Sequence, residues 1–209
     1  MNKMQTMEKI KIWIDNGHGN NTAGKRSPDY TLREYAYTRE IAARVVHGLK
    51  KQGYDAELLV PELYDVSLEE RVHRVNVTCQ RRGKDRVILV SIHNNAAGMG
   101  DWMNARGWCC FTTAGQTKSD ILAEHLYAAA ERNFVGHKIR TDKTDGDKDI
   151  EKAFYICRKT LCAAVLVENF FMDNKQDLEY LLSDEGKDAI VRTHIEGIMS
   201  YIKAQYGNN

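Results

Sequence analysis

Arg86-Val87-Ile88-Leu89-Val90-Ser91-Ile92-His93 is an almost unbroken apolar run closed by an imidazole. Polar residues do not alternate with apolar ones along it, so it predicts a strand buried on both faces, as strands are in a parallel sheet covered by helices on each side. Outward from this run, short apolar stretches alternate with helical patterns, the arrangement of βαβ units. Upstream, residues 9–14 read as a strand ended by the turn Asp15-Asn16-Gly17-His18-Gly19. Leu32, Ala36, Ala43, Val46 and Leu49 then recur at helical spacing within residues 29–52, and Gly53 is placed to stop that helix. Residues 54–60 read as a second strand. Ser67 with Glu70 three residues on opens a helix to about Arg82.

Downstream, residues 107–112, 153–157 and 163–167 read as strands, and residues 119–134 as a helix with Leu122, Leu126 and Ala129 on one side. Residues 136–152 form a polar stretch expected to be an exposed loop, and residues 184–206 a long closing helix. The expectation is an α/β fold, a single three-layer domain over residues 1–209 with a mainly parallel twisted sheet flanked by helices. A length of 209 residues suits one domain at about 100 to 200 residues each.

Composition narrows the function. Hydrophobic residues at 43% and charged residues at 28% exclude a disordered chain. Thirty basic against 29 acidic residues leave a formal charge of +1, so no strong field favours nucleic acid or anionic lipid. No apolar run approaches the roughly 20 residues of a membrane helix, and the opening Met1-Asn2-Lys3-Met4-Gln5-Thr6-Met7-Glu8-Lys9 lacks the apolar stretch of a secretory signal. A leaderless chain without membrane insertion or a nucleic-acid partner is expected. Five Cys, two of them adjacent at Cys109 and Cys110, suit reduced buried thiols better than a disulfide framework.

In open parallel sheets ligands bind beyond the carboxyl ends of the strands. His18, His93 and Glu168 each follow a strand, and neighbouring parallel strands would bring all three to one rim. Two imidazoles and a carboxylate make the ligand set of many hydrolytic zinc sites, with a fourth position left for water. Glu34, near the start of the helix after the His18 turn, is a reasonable third ligand, which leaves Glu168 free to accept a proton. Each piece also has a plain structural reading: His18 and His93 as hydrogen-bonded turn residues, Glu34 as a solvated helix residue, Gly17 and Gly19 as turn glycines with φ > 0. Glu168 resists that reading, because a carboxylate after five apolar residues needs a partner if buried.

Other motifs fail on particular positions. Thr22 stands where GxGxxG needs its third Gly. Asp145 and Gly146 suggest a calcium loop, but Thr141, Lys143 and Lys152 hold liganding positions one, three and twelve. Cys157 and Cys162, conceivable nucleophiles, have no His nearby in sequence.

Four segments together resemble a known family. Ile14-Asp15-Asn16-Gly17-His18-Gly19 resembles the opening IDxGHGG of the zinc-dependent N-acetylmuramoyl-L-alanine amidases of the type 3 class, and Ser91-Ile92-His93-Asn94-Asn95-Ala96 resembles their SIHxNA. Val167-Glu168 with Phe171 and Asn174 resembles VExxFxxN, and Arg71 with Asn76 matches the helix before the second His. The resemblance spans nearly the whole chain. It implies one zinc ion held by His18, Glu34 and His93, with Glu168 as the catalytic carboxylate. It implies peptidoglycan as substrate, cut at the amide between N-acetylmuramic acid and the first L-alanine of the stem peptide. Asp15 and Asn95 are candidates to fix the ring tautomers or touch substrate. Asn20, Asn94 and Phe170 depart from the family, Phe170 standing where Gly is common.

Two alternatives stay open: a zinc peptidase or amidase on another substrate, and a non-catalytic peptidoglycan-binding protein. Action on the bacterial wall by a chain without a signal implies cytoplasmic synthesis followed by release, as for a phage lysin, or export by another route.

Overall fold

The computed structural model describes residues 9–207. The expectation of a leaderless start rests on residues 1–9, of which all but Lys9 lie outside the described residues. Along the chain come β1 (Lys11–Asn16), α1 (Glu34–Lys51), β2 (Asp55–Leu58), α2 (Leu68–Arg82), β3 (Val87–Asn95), β4 (Cys109–Thr112), α3 (Lys118–Asn133), β5 (Ile150–Glu151), α4 (Tyr155–Lys159), β6 (Ala163–Phe171), α5 (Lys175–Leu182) and α6 (Asp184–Tyr206). The strands make one sheet in the order β2-β1-β3-β6-β4-β5. The four from β2 to β6 are parallel, whereas β4 runs antiparallel to β6 and carries β5 parallel to itself. β4 reverses because the chain returns from β3 through a loop, without the crossover helix a parallel neighbour needs.

Side-chain alternation sorts the core into two layers. Ile12 and Ile14 of β1, Ile88, Val90 and Ile92 of β3, and Val165 and Val167 of β6 pack on one face with α1, α3, α5 and α6. Val87 and Leu89, Ala164 and Leu166, and Cys109 and Phe111 pack on the other with Val72, Val75 and Cys79 of α2 and Ile156 of α4. Asp15, Ser91, His93 and Glu168 share the parity of that second face, at its carboxyl end. All five cysteines are buried and free, as their sequence setting predicts.

Several boundaries differ from expectation, each for a local reason. Residues 153–157 are not a strand: α4 begins at Tyr155, and the short β5 lies before it in the stretch expected to be wholly loop. A five-residue apolar run cannot by periodicity distinguish strand from helix. α1 starts at Glu34 rather than near residue 29, because Asp29 accepts hydrogen bonds from Ser27 Oγ and the Thr31 amide and closes a turn instead. α5 escaped the apolar periodicity. Its start is set by Asn174, whose side chain caps the amides of Gln176 and Asp177. β3 and β6 extend past their apolar runs through His93 and Glu168.

Candidate active site

The loop after β1 carries His18 at φ 62, a left-handed conformation that costs a non-glycine residue about 1 to 2 kcal/mol. The flanking glycines serve a different need from the positive φ their sequence suggested. A Cβ on Gly17 would sit 2.4 Å from Cε1 of the His93 ring, and one on Gly19 would sit 1.9 Å from the Asp65 amide nitrogen. Both are sites of close approach, and the strain falls on His18 between them.

Three side chains hold the carbonyls of this loop. Arg71 donates to Asn16 O at 2.8 Å, Thr38 Oγ1 to Gly17 O at 3.0 Å and Arg39 to His18 O at 2.9 Å. Arg71 also pairs with Asp15 at 2.6 Å, both side chains being almost fully buried. Ser91 Oγ donates to the other oxygen of Asp15 at 2.5 Å. The Asp15 carboxylate thus anchors the loop's support and makes no hydrogen bond to an imidazole. Asn95 likewise turns inward on its own chain, its Oδ1 accepting from the Ala96 amide at 2.9 Å. Both Asp15 and Asn95 line the cleft described below.

Glu34, the first residue of α1, is only 1% exposed. Its Oε1 lies 3.1 Å from His93 Nδ1 and accepts from the Asn94 amide at 3.0 Å, while its Oε2 lies 3.3 Å from His18 Nε2. The two imidazoles meet edge to face, ring centres 5.1 Å apart. Burial alone would raise the Glu34 carboxyl, but the contacts and charges of His18 and His93 outweigh it and hold it well below the usual carboxylate range. Burial would lower His93, yet the hydrogen bond and charge of Glu34 carry it above its ordinary value.

One ligand atom from each of His18, Glu34 and His93 falls within 4.8 Å of the others. Two imidazole nitrogens and a carboxylate oxygen are the donors of hydrolytic zinc. Glu34 Oε2 is a buried oxygen without a hydrogen-bond partner, so the trio fits a divalent ion.

Glu168 stands opposite His93 on β6 and opposite Cys109 on β4. Its Oε2 is buried with no hydrogen-bond partner. Burial first, and the charge of Glu34 next, push its carboxyl up to about 7, against the lowering effect of His93, Lys25 and Lys152. A carboxyl in that range can both accept and release a proton near neutral pH.

Beyond Glu168 the strand bulges. His93 pairs with Glu168 and Asn95 with Phe171, so β6 spends one residue more than β3. Phe170 takes φ 61 within the bulge, a conformation that favours glycine. Asn169 Nδ2 donates to His93 O at 3.1 Å and Asn94 Nδ2 to Asn169 O at 2.8 Å. Asn94 therefore ties the two strands together behind the imidazole.

These groups share a cleft of about 530 Å³, also lined by Lys25, Arg71, Phe111, Lys152 and Phe154. Sequence reasoning brought together His18, Glu34, His93 and Glu168, and noted Arg71 without a role; it missed Lys25, Lys152, Thr38 and Arg39. The signal for Arg71 was present: it precedes Val75 and Cys79 at helical spacing, on the buried face of α2.

The sequence profile of the N-acetylmuramoyl-L-alanine amidase family matches residues 12–200. An N-acetylmuramoyl-L-alanine amidase of Bacillus licheniformis is 28% identical over 191 residues, 90% of this chain and 67% of that protein. An endolysin of Bacillus phage SPP1 is 24% identical over 196 residues, 92% of this chain and 65% of that protein. The chain thus spans about two thirds of the length of these curated relatives. Among solved structures, an N-acetylmuramoyl-L-alanine amidase from Clostridium difficile 630 superimposes with a TM-score of 0.78 at 24% identity, covering 94% of this chain and 98% of that one.

Proposed function

Because the chain belongs to the N-acetylmuramoyl-L-alanine amidase family, a zinc-dependent family that acts on peptidoglycan, we propose that it hydrolyses the amide between N-acetylmuramic acid and the first L-alanine of the stem peptide. The observation that carries this reading is the convergence of His18, Glu34 and His93 at one point, with Glu168 on the neighbouring strand opposite His93. His18, Glu34 and His93 would hold one zinc ion, which when bound supplies Lewis acidity to the scissile carbonyl and the attacking water.

Glu168 supplies the proton traffic. Its carboxylate takes a proton from the attacking water and returns it to the departing amine, a double task that suits a carboxyl raised to about 7. Lys25 and Lys152 line the cleft and favour the charged form of Glu168. Arg71, Arg39 and Thr38 fix the His18 loop, and Asn94 and Asn169 fix the strand ends, so the imidazoles would meet the metal already oriented. Phe111 and Phe154, packed edge to face at 5.1 Å, give one wall an apolar surface that limits water around the reacting amide. The chain acts on this reading as one catalytic unit at the bacterial cell wall. Among the described residues no helix is long and apolar enough to cross a membrane.

Digestion of purified sacculi, with mass spectrometry of the products, tests the assignment. Free L-alanine amino termini on intact stem peptides, lost on chelation and restored by zinc, are the expected result. Cleavage within the stem would instead make the chain a peptidase, and sacculi bound but left whole would make it a binding protein.

A further inference from the structure

A second set of carboxylates lies apart from the cleft centre. Asp120 of α3 and Asp147 and Asp149 of the loop before β5 each place a ligand oxygen within 4.8 Å of the others. Asp149 is only 1% exposed, and its Oδ1 is buried with no hydrogen-bond partner. Asp147 Oδ1 is likewise buried and without a partner. The remaining contacts are few: Thr112 Oγ1 donates to Asp149, Gln116 Nε2 donates to Asp147 at 2.8 Å, and the Thr117 amide donates to Asp120. Lys148, the nearest cation in sequence, turns its Nζ to Glu131 at 2.9 Å and Glu124 at 3.9 Å.

Among the described residues no Lys, Arg or His pairs with the three aspartates. Burial, then the charges of Asp147 and Asp120, push Asp149 up to about 7. A cation between them would remove that repulsion and satisfy both orphaned oxygens. Cys109 lies opposite Glu168 and Thr112 three residues further along β4, so the cluster is about 10 Å along the sheet from the catalytic carboxyl at roughly 3.3 Å per residue.

We propose that Asp120, Asp147 and Asp149 bind a hard divalent cation, and that this cation is calcium. The ligands are all carboxylate oxygens, which suit hard ions such as calcium and magnesium better than zinc. Three protein carboxylates drawn from a helix and a loop suit calcium, which takes six to eight oxygens in flexible geometry, better than magnesium, which usually keeps its waters and uses one or two carboxylates. The loop failed the sequence test for a calcium motif because its ligands do not follow one another in a single loop: Asp120 arrives from α3. Calcium here would tie residues 142–149 to the start of α3 and so anchor the chain that leads into Lys152 in the cleft wall.

Terbium, a luminescent stand-in for calcium, tests the site without reference to activity. Tyr127, close enough to be affected by the Asp149 charge, would sensitise its emission. With zinc supplied first, the full chain should show sensitised emission that saturates at one terbium per chain. Calcium should displace it at least tenfold more effectively than magnesium, and Asp149→Asn and Asp147→Asn should each weaken binding at least tenfold. Either variant suffices if the other does not fold. Absent emission, or emission that both variants leave unchanged, would overturn the site, and magnesium displacing as well as calcium would overturn the choice of ion.

Discussion

His93 of β3 and Glu168 of β6 occupy one rung of the sheet, paired in parallel register at its carboxyl end. Adjacent strands lie about 4.8 Å apart, so a proposed metal ligand and the proposed base are fixed relative to each other by backbone hydrogen bonds. The bulge begins immediately after this rung. Regular pairing therefore holds these two side chains, and irregularity is confined to the residues behind them.

On the proposed roles, that arrangement separates metal binding from proton transfer. Glu168→Gln should lower the rate of sacculus hydrolysis by at least about 100-fold, the low end for loss of a general base, while zinc content by mass spectrometry stays at the wild-type level. His18→Ala and His93→Ala should lose zinc and activity together. Near-full turnover in Glu168→Gln would remove Glu168 from its role.

Arg71 and Asp15 form a buried pair that also carries the His18 loop. Arg71→Met leaves the Asp15 charge buried without its partner and should cost about 3 to 5 kcal/mol in urea unfolding. Adding Asp15→Asn should recover a large part of that loss, since it removes the uncompensated charge. A single variant within 1 kcal/mol of wild type, a margin below any buried-pair loss, would show that the pair does not hold the loop.

The layered fold was legible because its central strands are nearly unbroken apolar runs, most clearly residues 87–92, and in the structure their alternate side chains serve the two core faces. His18, His93 and Glu168 were legible as polar residues that follow apolar runs, and Glu34 by its place near the start of the helix after the His18 turn. What escaped depended on contacts distant in sequence. Nothing local shows that Gly17 faces the His93 ring or that Gly19 abuts Asp65. Ala153-Phe154-Tyr155-Ile156-Cys157 offers an apolar surface to either a strand or a helix, and packing of Ile156 and Cys157 against the α2 side of the sheet decides for the helix.

His194 gives the fold a pH dependence separate from the site. It is fully buried in α6, with Nδ1 2.8 Å from Ile190 O and Nε2 without a partner. Burial lowers it to about 4, against about 6.5 in an unfolded chain. Between these values the unfolded chain binds a proton that the folded chain refuses, so stability falls as pH drops from 6.5 towards 4, by about 3 kcal/mol in all. His194→Leu should lack this component. Unfolding free energies of wild type and variant should diverge by that amount between pH 7 and 4, and parallel curves would refute the assignment.

Phe170 sets strain against packing. Its φ of 61 favours glycine, yet its ring is fully buried against Phe134 at 5.0 Å and Tyr180 at 5.2 Å. Phe170→Ala should lose the packing and keep the strain, at about 3 to 5 kcal/mol. Phe170→Gly loses the same packing but relieves the backbone. It should therefore be about 1 kcal/mol more stable than Phe170→Ala, reversing the usual order of these residues within a strand. Thermal and urea unfolding of the two variants side by side checks the sign, and an alanine variant more stable than the glycine one would mean that the bulge relaxes out of its left-handed conformation once the ring is gone.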